Sequence, residues 1–489
     1  MATVSDFRRF NFGFSDAGRE YLMAPTLLRD GYYDLGGTVD RVLNSHEFLL
    51  LGYKGSGKSA VGARLRLLAE GAPAQLSAPQ AIFVDKLPLR EFKGVVPDSI
   101  DAHVRHVYAW QLHLMVQIIT GLSGDGQADA KSRKKVAAAE KELGKAGVIP
   151  QQPSSLKRFR MTKVSASVGL PNKGLGLSAD FQRSTDEGDL RLWLAYLEGV
   201  TSEYRSNRKH YFFIDGLDDL SLASSGRELL LGGLIQATVG LNEMFQESGS
   251  PIKIVVSCRT DLYSRLSLPQ AGKIRRDYGL ELNWYQNPRD AGVSHLVRLA
   301  NLRARLVDRS CSDLFSEFFD PTISGKNTVE FLLLQTRHTP RDLLQLLKII
   351  QKHVDGPGPI LPSIVLSGIS DYSQTYFVDE MHDALSTYFT EDQQSRIRQL
   401  LGTLRQRDFT FADLRTRVEN DSRFKDKLDL HSVTTALFDS SFIGNVTPGG
   451  ATGSSDPYFR FKHRNPEASL LHDESMQLHP GLWKAFSLA

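Results

Sequence analysis

Residues 48–65 constrain the fold of this chain more than any other stretch. A short apolar run, residues 48–51, precedes the pattern G-x-x-x-x-G-K-S, after which apolar residues recur at helical spacing. A strand, a glycine-rich loop and a helix in this order place backbone N–H groups and the positive end of a helix dipole around an anion such as phosphate. The residues that we expect to contact this ligand are Gly52, Lys54, Gly55, Ser56, Gly57, Lys58, Ser59 and Ala60.

Lys58 and Ser59 give this loop a more specific chemistry. The Lys58 ammonium can reach the β- and γ-phosphates of a nucleotide, and the Ser59 hydroxyl can ligate Mg²⁺. The pattern also arises by chance as a glycine-rich turn, but the flanking strand and helix favour the functional interpretation. We therefore expect a nucleoside triphosphate with Mg²⁺ at this loop.

The composition is that of an ordinary globular protein. The chain has 489 residues, of which 41% are hydrophobic and 24% charged, and this length suits two or three domains. A net charge of +3 is too small to indicate nucleic-acid binding by itself. Two cysteines exclude a disulfide scaffold, the first residues lack the apolar core of a signal peptide, and no apolar run approaches a membrane span of about 20 residues. We therefore expect a cytoplasmic protein without membrane association.

Strand and helix signals alternate through residues 46–292. Further apolar runs lie at residues 81–85, 210–216, 252–258 and 280–284. Helical patterns lie at residues 16–29, 106–122 and 232–245. Runs that are apolar on both faces are typical of parallel strands covered by helices on both sides. They predict an α/β P-loop core over residues 46–292, after a helical segment of residues 1–45 that we expect to pack over the nucleotide base.

The interval between the second and third predicted strands is too long for one crossover. Residues 124–147 predict an exposed helix, and residues 163–181 predict a β-hairpin around a Pro-Asn-Lys-Gly turn. We interpret residues 123–187 as an insertion on the core. Its basic residues form a solvated surface or contact nucleic acid or a partner. They are Arg133, Lys134, Lys135, Lys157, Arg158, Arg160 and Lys163.

The last two hundred residues change character twice. Residues 293–370 have helical patterns and no strand signal, which predicts a helical lid. Residues 371–489 contain helical patterns followed by two strand patterns, which predicts a winged-helix-like domain. The helical patterns lie at residues 393–405, 411–419 and 432–438, and the strand patterns at residues 442–446 and 458–463.

Charged residues follow two of the predicted strands. Asp215 ends the run YFFID beside the phosphate loop, where a carboxylate can hold Mg²⁺ through water. Asp218 and Asp219 follow within one turn, and either residue orients an attacking water or caps the next helix. Arg259 follows the fourth strand, where its guanidinium reads the γ-phosphate or pairs with carboxylates.

A helix begins at the motif RHTPRDLL. Thr339 suits the N-cap and Pro340 the first helical position. Arg341 lies in the first turn, where a cation opposes the helix dipole. This placement indicates an anionic ligand or, alternatively, an ion pair with Asp342 or another carboxylate.

These motifs together resemble those of the additional-strand, conserved-glutamate P-loop ATPases, most closely the AAA+ and STAND classes with their origin-recognition-like members. GYKGSGKS matches Walker A, FFIDGLDD the STAND form of Walker B, VVSCRTD the sensor 1 strand and HTPRDLL the sensor 2 lid motif. The order of parts is also similar to a bacterial group of predicted ATPases with an F-G-x-x-x-A segment, here residues 12–17. Some members of that group lie beside antiviral or mobile-element genes.

The resemblance implies ATP as the nucleotide and Mg²⁺ as its metal ion. It assigns Ser59 and Asp215 to the metal site, and catalytic roles to Asp218, Asp219, Arg259 and Arg341. One departure is Gly216, which stands where AAA+ proteins carry a catalytic acid. The interval before the fifth strand often carries an arginine finger in AAA+ proteins, and here it holds either such a finger or ordinary surface charge. The basic residues in this interval are Lys273, Arg275 and Arg276.

Two functions are compatible with these features. The first is a Mg²⁺-dependent ATPase switch of AAA+/STAND type that couples its nucleotide state to a protein partner, to self-association or to nucleic acid, in bacterial antiviral defence. The second, favoured by Gly216, is a nucleotide-gated DNA-binding or scaffold protein with negligible turnover. Basic residues of the predicted wing would then meet the phosphate backbone. They are Arg460, Lys462, His463 and Arg464.

Overall fold

The computed structural model describes residues 6–79, 81–83, 102–145, 187–217, 227–287, 294–447, 449 and 458–488. Several sequence predictions lie outside this part of the chain. They are the hairpin at residues 163–181, the possible catalytic residues Asp218 and Asp219, and the basic residues Lys157, Arg158, Arg160 and Lys163.

A parallel sheet forms the core. Its strands are β1 (Leu49–Leu51), β2 (Leu76–Ser77), β3 (Ile82–Phe83), β4 (Lys209–Asp215), β5 (Ile252–Cys258) and β6 (Gly279–Glu281). The strands lie in the order β2-β4-β5-β1-β6, with β3 also paired to β4, and each of these pairings is parallel. Because parallel strands end at the same edge, the residues that follow β1, β4 and β5 lie near one another.

The continuous apolar runs in these strands have a structural reason. Successive side chains of a strand point to opposite faces of the sheet. Leu50 and Phe213 therefore enter the core on one face, whereas Leu49 and Phe212 enter the core on the other. Both faces are covered by helices, as the sequence predicts, so the α/β P-loop core is confirmed.

Two helical layers cover the sheet. One contains α1 (Ala17–Met23), α2 (Pro25–Arg29), α3 (Thr38–Asn44) and α4 (Lys58–Gly71), and the other contains α5 (Ala102–Leu122), α6 (Ala130–Lys145), α7 (Glu187–Ser202) and α8 (Arg227–Ser248). The helix predicted at residues 16–29 is two helices, because Pro25 interrupts it. The helix predicted within residues 124–147 is present as α6, but it is exposed on one face only, since α6 packs on α5 and buries Val136, Ala139 and Leu143.

Two short helices, α9 (Thr260–Tyr263) and α10 (Ala271–Tyr278), lead to a largely helical region. That region contains α11 (His295–Val307), α12 (Leu314–Phe318), α13 (Thr328–Leu334), α14 (Pro340–Lys352) and α15 (Pro362–Asp371). The prediction of no strand here was wrong, because β7 (Thr322–Ile323) and β8 (Lys326–Asn327) form a hairpin. Its two turn residues, Ser324 and Gly325, both have positive φ, which a two-residue hairpin turn of this type requires.

The C-terminal region combines helices with an antiparallel sheet. A π-helical segment, Tyr372–Phe377, continues α15 into α16 (Val378–Leu385), so the domain boundary predicted at residue 370 falls inside a helical run. The rest contains α17 (Glu391–Gly402), β9 (Asp408–Phe409), α18 (Phe411–Glu419), α19 (Leu430–Asp439), β10 (Ile443–Thr447), β11 (Tyr458–Arg460) and β12 (Ser475–Leu478). Its antiparallel sheet has the order β11-β10-β12-β9, and the winged-helix assignment of this region stays a prediction.

Among the helices of the described residues, none combines the length with the apolar character that crossing a membrane requires.

Candidate functional site

The phosphate loop adopts the backbone that its glycines allow. Gly55 and Gly57 have φ of 85° and 96°, values that residues with a Cβ rarely adopt. Gly57 directly precedes α4, so the loop ends at the N-terminus of this helix. Lys58 is buried, and its Nζ donates to the carbonyl oxygens of Gly52 at 3.0 Å and of Tyr53 at 3.2 Å. The ammonium therefore lies over the loop, where an anion would be bound.

A cavity of about 260 Å³ opens at this helix N-terminus. Its walls come from the phosphate loop, the end of β4, the N-terminal segment, α11 and α14. Six of the eight predicted loop residues line it, namely Lys54, Gly55, Gly57, Lys58, Ser59 and Ala60. The other two loop residues, Gly52 and Ser56, do not line the cavity, and the Ser56 carbonyl accepts from Trp284 Nε1 at 2.8 Å.

Asp215 and Ser59 line the same cavity. Asp215 is the last residue of β4 and is almost fully buried, and one of its oxygens accepts a hydrogen bond from the Ser257 hydroxyl at the end of β5. A hydroxyl and a carboxylate are ligands that Mg²⁺ accepts. Within the described residues no group of three or more His, Cys, Asp or Glu side chains is arranged to hold a metal. A Mg²⁺ ion here would therefore take most of its ligands from phosphate and water, as is usual for nucleotide sites.

Arg341 also reaches the cavity, from the first turn of α14. Its backbone N–H donates to the Gly55 carbonyl at 3.3 Å, and its Nη1 lies 3.5 Å from Glu380. The ion pair that the sequence offers as an alternative is formed with Glu380 and not with Asp342, because Asp342 is bound by Arg337, whose Nη2 donates to it at 2.9 Å. The start of the lid helix is thus attached to the phosphate loop.

The structure does not bring Arg259 to the cavity. Its guanidinium is buried and donates to Asp261, at 3.0 Å from Nε, and to the Thr387 hydroxyl at 3.3 Å. Burial would raise the pKa of Asp261, but the charge and hydrogen bonds of Arg259 hold it below its ordinary value. Of the two alternatives for Arg259, the carboxylate pair is formed and the contact to the cavity is not.

The residues considered for an arginine finger lie on α10. Arg275 donates to Glu281 at 2.6 Å and to Glu467 at 3.0 Å, so its charge is neutralised within the chain. Lys273 and Arg276 are exposed. The arginine-finger assignment therefore stays a prediction for these two residues.

Two charged residues of the cavity that the sequence analysis missed are paired with each other. Glu20 of α1 and Arg303 of α11 line it and form an ion pair. The F-G-x-x-x-A segment was the available signal, because Ala17, its last residue, lies in the cavity wall. Motif spacing alone could not join Arg303 to this segment, since nearly three hundred residues separate them.

The C-terminal domain rests directly on the phosphate loop. Tyr53 donates its hydroxyl to the Lys462 carbonyl at 2.8 Å, and Lys54 Nζ lies 3.3 Å from Asp383. A third link joins Arg265 to Asp439 at the end of α19. The loop that would bind the nucleotide is therefore in contact with the region that would transmit a signal.

The basic residues of the predicted wing contact other residues of their own domain. Arg460 Nη1 lies 3.4 Å from Glu474, and Lys462 Nζ donates to the Ala468 carbonyl at 2.7 Å. His463 is buried, and the Arg464 guanidinium lies 5.5 Å from the Phe461 ring centroid. Of the four residues only His463 is buried, and Arg460, Lys462 and Arg464 are partly exposed.

Comparison with known proteins gives a local family match and distant structural likenesses. Residues 294–379 match the FunZ-associated C-terminal helical domain, FunZ_C, a segment that runs from α11 into α16. No curated protein matches the chain.

Three solved structures are similar at low identity. Orc1 of Aeropyrum pernix, solved in complex with DNA, is 14% identical over 96% of each chain, with a TM-score of 0.39. The RuvB Holliday junction branch migration motor of Thermotoga maritima is 13% identical over 95% of this chain and 100% of its own, with a TM-score of 0.31. Cdc6p from Pyrobaculum aerophilum is 12% identical over 97% of each chain, with a TM-score of 0.27.

The chain's own geometry defines its class. A parallel sheet, a glycine loop at a helix N-terminus, an acidic residue at the end of a neighbouring strand and a helical region over the cavity make an α/β P-loop fold.

Proposed function

We propose that this protein is a Mg²⁺-dependent ATP-binding and ATP-hydrolysing switch of AAA+/STAND type. One observation carries the proposal: Lys58, Ser59, Asp215 and Arg341, from three separate elements, line a single cavity at the N-terminus of α4. A helix N-terminus, an ammonium and a guanidinium favour a polyphosphate, and a hydroxyl with a carboxylate suits its metal ion.

Each side chain has a defined task in this proposal. Lys58 would exchange its two carbonyl acceptors for phosphate oxygens, and Arg341 would bind the γ-phosphate from the lid. Ser59 and Asp215 would hold Mg²⁺, the latter through water, and the ion supplies charge neutralisation on the phosphates. Asp219, or else Asp218, would orient the attacking water. With Gly216 in place of an acid after Asp215, we expect slow turnover.

The signal would leave the site through the C-terminal domain. Tyr53 and Lys54 of the phosphate loop contact Lys462 and Asp383, so a loop that changes shape around a triphosphate shifts these contacts. A protein partner or a second copy of the chain would read this change. The proposed setting, bacterial antiviral defence, is supported only by the similarity of the motifs to predicted ATPases found beside such genes.

A nucleotide-gated scaffold with negligible turnover is the second candidate, and Gly216 is the observation that favours it. Direct DNA binding through the wing is less well supported, because Arg460 and Lys462 contact their own domain.

A turnover assay with radiolabelled ATP, with and without DNA, tests the proposal. We expect Lys58→Ala to lose binding and turnover, and Asp219→Asn to bind ATP but hydrolyse it more slowly. Lys425→Ala, an exposed lysine of the C-terminal domain outside the cavity, is the matched control and is expected to behave like the wild type. Full activity in purified Lys58→Ala protein would refute the site. Binding without turnover in the wild type would favour the scaffold.

A further inference from the structure

The cavity has a second charged wall besides the phosphate loop. Phe14, Leu28 and Leu344 provide apolar surface there, and Glu20 and Arg303 provide two opposite charges. Phe14 precedes α1, Leu28 lies on α2, and Leu344 lies on α14. A nucleotide whose phosphates are bound at the phosphate loop would place its base against these residues, because they line the same cavity outside that loop.

The two charges are almost completely buried. Glu20 is 3% exposed and Arg303 is 7% exposed. Arg303 Nη2 donates to Glu20 Oε1 at 2.5 Å, and Arg303 Nη1 donates to the Phe12 carbonyl at 2.7 Å. Glu20 Oε2 accepts from the Phe14 backbone N–H at 3.0 Å and from Arg303 Nη1 at 3.2 Å.

This pair is not completed by its protein partners. A carboxylate has about four lone-pair positions, and three donors from the described residues occupy those of Glu20. The Nε of Arg303 is buried and has no hydrogen-bond partner among the described residues. A buried ion pair seldom stabilises a protein more than apolar residues of the same size would. A pair with one open acceptor position and one open donor, on the wall of a cavity, is therefore better explained by a ligand than by stability.

We propose that Glu20 and Arg303 read the base of the bound nucleotide, with the Glu20 carboxylate accepting from the 6-amino group of adenine. This inference rests on the proposed function, since a nucleotide must occupy the cavity. A carboxylate only accepts and a guanidinium only donates. Adenine presents an amino donor next to a ring-nitrogen acceptor, which matches this pair. In the same orientation guanine places its O6 acceptor against the Glu20 carboxylate, so GTP is disfavoured unless its base shifts to bring N1–H to that carboxylate.

The test compares three ligands that differ in one group each: Mg²⁺ complexes of ATP, of purine riboside triphosphate, which lacks the 6-amino group, and of 2′-deoxyATP. Inorganic tripolyphosphate reports on the phosphate loop alone. The wild type is expected to bind ATP roughly tenfold more tightly than purine riboside triphosphate.

The main variant is the double substitution Glu20→Leu with Arg303→Met, because removing one partner alone would leave a buried unpaired charge. We expect its tripolyphosphate affinity to stay within about twofold of the wild type and its preference for ATP over purine riboside triphosphate to fall close to one. Arg305→Met, an exposed arginine on the same helix, is the control and should change neither quantity.

Three results for the double variant would overturn the inference. It could keep the wild-type preference for ATP. It could lose affinity for ATP and tripolyphosphate in equal proportion, which would indicate a structural role. It could instead change the ratio of ATP to 2′-deoxyATP, which would assign the pair to the ribose. A wild type that binds neither ATP nor tripolyphosphate would refute the proposed function itself, and the inference with it. A wild type that binds both triphosphates without base preference would overturn this inference alone and leave the proposed function in place.

Discussion

The orientation of the Asp215 carboxylate depends on one neighbouring hydroxyl. Ser257, at the end of the adjacent strand β5, donates to Asp215 Oδ1. Ser257→Ala removes this donor, so we expect Mg²⁺-dependent ATP binding to weaken by about 1–2 kcal/mol, roughly a 5- to 30-fold higher Mg²⁺ requirement. Titration of Mg²⁺ at a fixed concentration of a fluorescent ATP analogue measures the effect.

Ser257→Thr is the matched control, because it keeps the hydroxyl. It is expected to retain most of the Mg²⁺ affinity. Equal losses in Ser257→Ala and Ser257→Thr would mean that the hydroxyl does not orient Asp215.

Single residues also mark the limit of what the sequence could predict. The sequence placed Asp215 and Arg259 correctly at the ends of neighbouring strands, because the apolar runs that form β4 and β5 end at these residues. The direction of the Arg259 side chain was not predictable in the same way. Asp261, two residues further on, and Thr387, more than a hundred residues away, bind its guanidinium where the core meets the C-terminal domain.

At the scale of elements, α4 is held close to the sheet by a glycine. A Cβ on Gly62 would lie 2.6 Å from the Phe213 ring of β4, so helix and strand approach too closely for any larger residue. We expect Gly62→Ala to lower the free energy of unfolding by about 1–3 kcal/mol, because the ring must move or the helix must shift. Thermal unfolding measures the change.

Gly71 provides the control on the same helix. A Cβ there meets nothing within 4 Å. Since alanine has a higher helix propensity than glycine, Gly71→Ala is expected to leave stability unchanged or slightly raised. A Gly62→Ala protein as stable as Gly71→Ala would disprove the tight α4–β4 contact.

A stack of histidines lies between the lid and the C-terminal domain. His338 and His463 have ring centroids 5.5 Å apart, and His479 lies 5.6 Å from His463. Burial lowers the pKa of His338 and of His479 to about 3, and it lowers the pKa of His463 well below the ordinary 6.5. The three imidazoles are therefore neutral in the folded protein.

The lowered pKa values predict acid sensitivity. Because the unfolded chain takes up these protons near pH 6.5 and the folded chain does not, the stabilisation is complete above pH 6.5 and is lost as the pH falls toward 3. We expect the unfolding free energy to fall by up to about 1.4 kcal/mol per pH unit for each histidine. Melting temperatures measured from pH 7.5 to pH 5.0 report the loss.

His463→Phe isolates this effect. Neither ring nitrogen of His463 has a hydrogen-bond partner among the described residues, so phenylalanine removes a titrating group without removing a hydrogen bond. The variant should lose less stability on acidification than the wild type, whereas exposed His46→Phe should leave the pH dependence unchanged. Identical pH dependence in His463→Phe and the wild type would contradict the prediction.

Elements differ in how far the sequence predicts them. Strands β1, β4 and β5 and helices α18 and α19 carry strong local patterns and were found within a few residues. Strand β2 has two residues and exists because β4 pairs with it. The burial of α6 depends on α5 and α7, which a local pattern cannot reveal.

At the scale of the whole molecule, polar contacts join the C-terminal domain to the core. Tyr53→Phe with Asp439→Asn removes the hydroxyl that Tyr53 donates to the Lys462 carbonyl and the negative charge that pairs with Arg265. At about 1 kcal/mol for each lost contact, we expect a roughly 30-fold shift toward local opening. Deuterium uptake should rise in α19 and β11 and stay constant in the central sheet.

Two exposed residues of the same domain give the matched control. Tyr458→Phe with Asp473→Asn changes the same two residue types away from the core. Equal uptake in both double variants would mean that these links do not hold the domain on the phosphate loop.

The N-terminal segment connects the lid to the core. Phe7 and Phe10 pack on Phe318 of α12, and Gln351 of α14 donates to both of their carbonyls at 2.9 Å. Helices α1 to α3, which belong to the same segment, pack on α4 of the core. The cavity residues of this segment lie between the two attachments, so a ligand there contacts a link between both parts. Only long-range packing establishes this link, which is why the sequence motifs did not reveal it.

The account depends on a triphosphate held by the phosphate loop with Mg²⁺ between Ser59 and Asp215. An experimental structure of the wild-type protein with a non-hydrolysable ATP analogue and Mg²⁺ tests this claim most directly. The predicted result has the β- and γ-phosphates at Lys58, the metal ion about 2.1 Å from the Ser59 hydroxyl, and Asp215 joined to it through water. Phosphates bound elsewhere, or an Asp215 turned away from Ser59 with no ion between them, would contradict it.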